Sequence, residues 1–309
     1  MIKNKIVMLI FFSSLIFAET TRSQVIMGTF CNISLEEKNK KQIQEGFRLL
    51  KEIELSLSSY DKKAKVYKLN HQEKVMSDKY LTEILEKSRD IYNESSGYFD
   101  ITIGSVTKGL YHFGENEQVP SQKELDSARV ELKGIVENNG TIRLEKGIKL
   151  DLGGIGKGYG VDKVAQYYAE QNITKGKISL SGDIRCLDIC NFSIQNPFED
   201  NSTLMTLKSK ISNLSISTSG TYRRYIKEKK YHHLIDPKTK KQGRVFVSVT
   251  LLTHADNSKI DALATAISVM NEKDALFFLL RHPSIAYILV KQNGERLSGN
   301  LEKLAKIYK

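Results

Sequence analysis

Four prolines and three cysteines in 309 residues leave little punctuation in this chain. With so few prolines, and with no low-complexity tract or internal repeat, nothing in the sequence marks a linker between domains. Cys31, Cys186 and Cys190 are an odd number, so they do not describe a complete disulfide framework. Cys186 and Cys190 can close a short loop and leave Cys31 free, or all three can be small buried hydrophobes. Their C-x3-C spacing, with no other Cys or His nearby, does not describe a zinc site. Long apolar runs are scarce too: one spans residues 6–17 and no second follows. Lys3 and Lys5 precede that run and Ala18 ends it, the pattern of a Sec signal peptide; a membrane span takes about 20 residues. Residues 1–18 are therefore read as a signal peptide and 19–309 as one folded domain. The expected location is the periplasm or the outer face of the inner membrane. The bulky residues before Ala18 make a weak cleavage site, which leaves membrane association through an uncleaved segment open. No Cys follows the run, which argues against a lipid-attached N-terminus.

The remaining composition is that of a globular protein, 40 % hydrophobic and 27 % charged, which excludes a disordered chain. A net charge of +11 suits an anionic partner such as a nucleotide or a phospholipid surface. The lysines are scattered over 38–41, 227–230 and 238–241 without interleaved aromatics, so no nucleic-acid partner is expected.

Apolar spacing predicts helices at Ile43, Phe47, Leu50 and Leu57, and at Leu81, Ile84, Leu85 and Ile91 behind a Ser77-Asp78 start and before a Gly97 stop. Three more are expected over 157–171, 259–270 and 272–281. Alternating or β-branched stretches predict strands over 24–35, 141–152, 177–187, 192–195, 245–253 and 285–291. Gly182 inside the third suggests a bulge or a close backbone approach. Helices and strands do not alternate regularly, so the fold class is α+β, with mixed, largely antiparallel sheets and packed helices.

Three segments carry chemistry. In Asp151-Leu152-Gly153-Gly154-Ile155-Gly156-Lys157-Gly158 a strand runs through glycines into a helix start. Amides there can hold phosphate with Lys157 as a point charge, or the glycines can serve close packing. The pattern matches neither a Walker A loop nor a dinucleotide fingerprint. Asp261 and Thr265, four apart, share one helix face; a carboxylate beside a hydroxyl suits Mg2+, although most such pairs are solvated faces. Adjacent His232 and His233 in a strand would face opposite ways, so one can act as a base while the other is a satisfied structural histidine.

Met27-Gly28-Thr29, Ser59-Tyr60 with Leu69-Asn70, the stretch 97–102, the stretch 151–158, Gly182-Asp183, Ser219-Gly220, the stretch 233–237 and the stretch 261–265 occur in an order that resembles the ApbE family, the FAD:protein FMN transferases. The resemblance implies one active-site cleft, FAD as substrate and Mg2+ as the essential ion. It implies that Met27, Tyr60, Tyr98, Phe99, Asp100, Asp151, Lys157 and Ile235 line the FAD site. It implies Gly154 (through its carbonyl), Asp261 and Thr265 as metal ligands, and His233 as the base. The implied partners are exported or membrane redox flavoproteins that accept FMN on a threonine, with AMP released; the alternatives are FAD hydrolysis to FMN and AMP, or flavin binding without turnover. Two positions depart from the family's habit. Ser181 and Lys240 stand where glycine is often found, and the loop at Lys240 is expected to turn differently.

Overall fold

A computed structural model describes residues 19–308; the expected signal segment, 1–18, lies outside the described residues. The strand expected over 24–35 is in fact a hairpin of β1 (Glu19–Ile26) and β2 (Thr29–Glu36). Met27 and Gly28 form its two-residue turn at φ 53° and 71°, the positive values that match the twist of the flanking strands. Helix α1 (Lys40–Leu57) buries Ile43, Phe47, Leu50 and Leu57, as their spacing predicts. After α2 (Lys65–Asn70) and β3 (Val75–Met76), α3 (Lys79–Glu94) begins where expected, with the Asp78 carboxylate accepting the Leu81 amide at 2.9 Å.

Short helices α4 (Gly104–Thr107) and α5 (Gln122–Ser127) lead to β4 (Ile135–Asn138) and β5 (Thr141–Leu144), which complete a small antiparallel sheet with β3. The strand expected over 141–152 thus stops at Leu144. Beyond it, the Asn70 side chain satisfies both main-chain groups of Leu150, at 2.7 and 2.9 Å, in place of a neighbouring strand. Helix α6 (Gly156–Glu170) follows. The stretch 177–187 is a second hairpin, β6 (Gly176–Leu180) and β7 (Asp183–Cys186), rather than one strand with a bulge. Gly182 is a close backbone approach all the same, since a Cβ there would sit 2.7 Å from the Thr218 carbonyl oxygen. A Cys186–Cys190 disulfide ties β7 to β8 (Asn191–Gln195). Cys31 is free and buried, and burial pushes its thiol up to about 12.

The rest of the chain is β9 (Thr203–Ser209), β10 (Leu214–Gly220), β11 (Phe246–Thr253), α7 (Asn257–Val269), α8 (Glu272–Leu280), β12 (Ala286–Lys291), β13 (Arg296–Gly299), α9 (Leu301–Leu304) and β14 (Ala305–Ile307). An eight-stranded sheet runs β1-β2-β6-β7-β10-β11-β12-β13, antiparallel throughout, so the α+β class stands. One face carries helices: Ile33, Leu35, Ile178 and Leu180 meet α1 and α6 in one apolar cluster, and Val249 and Leu251 meet α7 in another. The opposite face of β7, β10, β11 and β12 is covered by the three-stranded sheet β14-β9-β8, through Ile216, Leu252 and Ile288 against Phe192, Ile194 and Leu207.

In the loop at Lys240, that residue itself takes φ 55°, a positive value that glycine adopts more readily, and donates its amide to Asp236 O at 2.7 Å. A side chain in that conformation costs roughly 1–2 kcal/mol. Lys240→Gly should therefore raise stability by about 0.5–1 kcal/mol after the added freedom of the unfolded chain is subtracted, as read by urea denaturation.

Candidate active site

The eight-stranded sheet, the glycine-rich start of α6 and the loop after β10 surround one cleft of about 1290 Å3, larger than the roughly 300–1,000 Å3 of an ordinary small-molecule site. All twelve residues singled out in the sequence line it: Met27, Tyr60, Tyr98, Phe99, Asp100, Asp151, Gly154, Lys157, His233, Ile235, Asp261 and Thr265. Met27 is held at the β1–β2 turn, its amide donating to Glu54 Oε1 at 2.7 Å. Asp100 is buried and spends one carboxylate oxygen on its own loop, accepting the Thr102 amide at 2.7 Å and hydroxyl at 2.6 Å. Burial raises its pKa. The Tyr98 hydroxyl donates to Asp274 on α8 at 2.7 Å; that bond first, then burial, pushes it up to about 12. Its ring faces the Lys238 ammonium at 3.5 Å.

Asp151 anchors the opposite wall. It accepts the Thr107 hydroxyl at 2.6 Å and the Gly153 amide at 2.9 Å, with the Lys108 ammonium 3.9 Å away. Burial alone would raise its pKa; Lys108, Thr107 and Arg224 outweigh that and bring it to about 2. Lys108 and Arg224 both donate to the Tyr60 hydroxyl, which in turn donates to Phe113 O at 3.0 Å. Reading by motif overlooked these two cations. The available signal was the pair Arg223-Arg224 shortly after Ser219-Gly220.

His233 lies beside Arg224. Its Nδ1 is 3.1 Å from Arg224 O, and a carbonyl can only accept, so Nδ1 carries the proton and Nε2 is left with its lone pair. Burial, then repulsion by Arg224, lowers the His233 pKa to about 4, so the ring is neutral at pH 7. The two histidines do not lie in a strand, contrary to expectation; His232 makes only an isolated bridge with Tyr225. They still face different ways, since His232 is buried with Nε2 2.9 Å from Gly243 O and does not line the cleft.

The start of α6 meets α7 closely. Asp261 is not on a solvated face but 2 % exposed, accepting the Gly158 amide at 3.0 Å. Burial and the neighbouring Asp183 raise its pKa, only partly offset by Lys157. The Lys157 ammonium bridges the two acids, 2.9 Å from Asp183 and 3.4 Å from Asp261. It is thus already paired, not a free point charge. Nor is the helix start a set of free amides: Gly156 N donates to Leu152 O at 2.8 Å and Gly158 N to Asp261. The glycines serve close packing, for a Cβ on Gly158 would fall 2.5 Å from Asn257 O, and one on Gly160 2.8 Å from Leu50 Cδ2.

The sequence model of the ApbE family matches residues 27–289. This chain belongs to the ApbE family. The FAD:protein FMN transferase of Vibrio cholerae is 30 % identical over 273 residues, covering 80 % of each chain. That of Treponema pallidum is 26 % identical over 307 residues, covering 88 % of this chain and 84 % of the relative. Among solved structures, the ApbE protein of Thermotoga maritima superposes with a TM-score of 0.81 at 24 % identity, covering 91 % of this chain and 97 % of its own. The flavin transferase ApbE of Vibrio cholerae gives 0.77 at 24 %, covering 94 % and 96 %. At that identity the superpositions speak for the fold alone.

For an ApbE chain, the implied Mg2+ can be tested against the donors present. Among the described residues no cluster of three or more His, Cys, Asp or Glu could hold a metal, so a soft or all-carboxylate site is not on offer. The α6–α7 contact instead gathers a carboxylate, a hydroxyl and a main chain stripped of its side chain. Thr265 Oγ1 would lie 2.8 Å from a Cβ on Gly154, so any other residue there would fill the space. Few, hard, mostly neutral oxygen donors fit Mg2+, which binds through one or two carboxylates and takes its remaining ligands from water and substrate phosphate. Asp261→Asn keeps an acceptor for Gly158 N and removes the charge. It should melt within a few degrees of wild type yet lose divalent-cation binding, as followed by Mn2+ paramagnetic resonance titration.

Proposed function

We propose that this protein transfers FMN from FAD to a threonine hydroxyl of an exported or membrane redox flavoprotein and releases AMP. Residues 19–309 are the catalytic domain, and residues 1–18 direct it to the periplasm or the outer face of the inner membrane. The observation that carries the reading is the joining of three features in one cleft: a hard-oxygen pocket at Gly154, Asp261 and Thr265, a neutral His233, and room for a dinucleotide. The names of the relatives, FAD:protein FMN transferases, support the same activity.

The acceptor hydroxyl oxygen bonds to the FMN-side phosphorus as the bond to the AMP phosphate breaks. The hydroxyl proton passes to Nε2 of His233, whose Nδ1–H is fixed on Arg224 O. Met27, the Tyr98–Asp100 loop, Asp151 and Ile235 line the bound dinucleotide, and Lys108 and Arg224 set positive potential on the wall by Tyr60. Mg2+, held by the Gly154 carbonyl, Asp261 and Thr265, supplies charge neutralisation on the pyrophosphate when bound. Lys157 offsets part of the charge of Asp183 and Asp261 beside it. With little covalent chemistry asked of the protein, positioning and electrostatics carry most of the acceleration.

The test is mass spectrometry of candidate acceptors after incubation with this protein, FAD and Mg2+, with free FMN measured in parallel. Covalent flavin on a threonine is expected; free FMN as the sole product with several acceptors offered means hydrolysis instead. His233→Ala should slow transfer by about 10²–10⁴-fold while FAD affinity changes little. The same substitution at His232 should leave transfer largely intact. The folded pKa of His233 lies below the usual 6.5, so its neutral form persists as pH falls and is lost near pH 4. The acceptor kcat/KM of the wild type should accordingly hold below pH 6.5 and fall as pH nears about 4. A limb unchanged in His233→Ala assigns the titration to another group.

A further inference from the structure

The cleft has a second arm that none of the FAD or metal positions occupies. Its floor is one rung of the eight-stranded sheet, Asn32, Ser179, Ile184 and Ile216, adjacent across β2, β6, β7 and β10. These side chains alternate with Cys31, Ile33, Ile178 and Leu180, which face the helices, so they lie on the opposite face. The three-stranded sheet covers that face from β7 to β12 and ends at β8; among the described residues no layer covers the strip over β2 and β6. The side wall of the strip is the outer edge of β8, where Ser193, Ile194 and Gln195 line the cleft.

That edge has unused main-chain groups. Ser209 N donates to Cys190 O and Asn196 N donates to Ser202 O, so the even-numbered residues of this strand bond toward β9. The main-chain groups of Asn191, Ser193 and Gln195 therefore point away from it. Asn191 O accepts the Lys177 ammonium at 3.4 Å, while Ser193 and Gln195 face no second strand among the described residues. Two cations flank this edge, Lys177 on Asn191 O and Arg223 engaged by Gln195. Unpaired main-chain groups beside a floor of Asn32 and Ser179, in the same cleft as His233, match an extended polypeptide.

Building on the transfer reading above, we propose that the acceptor protein enters as an extended segment that adds a fourth strand to β14-β9-β8 along the free edge of β8. The added strand lies over Asn32 and Ser179, beside the exposed ring of Phe30, and runs toward His233 and the metal pocket, where it delivers its threonine. Main-chain hydrogen bonds then supply affinity largely independently of sequence.

The test uses the full protein with the acceptor found by the covalent-flavin experiment, and a synthetic peptide spanning its modified threonine. Peptides carrying a single N-methyl group, moved along the chain, should lose transfer at positions two residues apart and keep it at the position between. Ser193→Pro removes only an outward N–H from an edge strand, where proline is tolerated. It should raise the acceptor KM by about 10-fold or more while FAD affinity is unchanged. Equal tolerance of N-methylation at every position, or a uniform loss at all of them, overturns the added strand, as does an unchanged KM in a folded Ser193→Pro protein. Those failures leave wild-type flavin transfer intact. Absence of covalent flavin from every acceptor in the wild type instead removes the transfer reading, and this inference with it.

Discussion

The close approach of α6 and α7 is the contact on which the rest of the site depends. Asp162 on α6 caps the start of α7, accepting the amides of Asn257 at 2.7 Å and Ser258 at 2.8 Å, and pairs with Arg185 on β7. Gly158 removes the side chain that would otherwise strike Asn257 O, and its amide then reaches Asp261. The same approach lays Gly154 against Thr265. One pair of helix starts thus creates a carboxylate, a hydroxyl and an open main chain in the same few ångströms. A larger residue at 158 would separate all three at once, because packed interiors have no slack to absorb a methyl group against a carbonyl.

Charge divides the cleft. At the α6–α7 end, two buried carboxylates share one ammonium, an arrangement short of positive charge and suited to a cation. On the Tyr60 wall, Lys108 and Arg224 converge on one phenol with only Asp151 to balance them, an arrangement suited to phosphate. His233 stands beside Arg224, and burial first, then that guanidinium, leaves its proton weakly held. The β8 edge differs from both regions, with the main-chain groups of Ser193 and Gln195 facing no second strand among the described residues.

Much of the frame was legible from spacing. The five long helices appear where apolar periodicity placed them, since burying one stripe of a helix is a local pattern with a global cause. Strands were read less well. Two hairpins passed for single strands because Met27-Gly28 and Ser181-Gly182 interrupt alternation for only two residues. The hydroxyl-rich β10 was missed as a strand, because only Leu214 and Ile216 alternate before the run Ser217-Thr218-Ser219-Gly220, whose place is set by pairing with β11.

By itself, the sequence set an α+β fold through its periodicities and carried motifs in an order that resembles the ApbE family, and the twelve positions which that resemblance implied all line one cleft. Only the tertiary structure decided what those residues touch. Lys157 sits within a glycine-rich run, directly after Gly156, and nothing local reveals that Asp183 and Asp261 claim its charge. Asp261 looks amphipathic on its helix, yet α6 buries it. Lys108 and Arg224 are 116 positions apart and become one wall through Tyr60. Hydrogen bonds and ion pairs act over a few ångströms of space, whatever the separation along the chain, so partners drawn from distant elements exist only once the fold has closed.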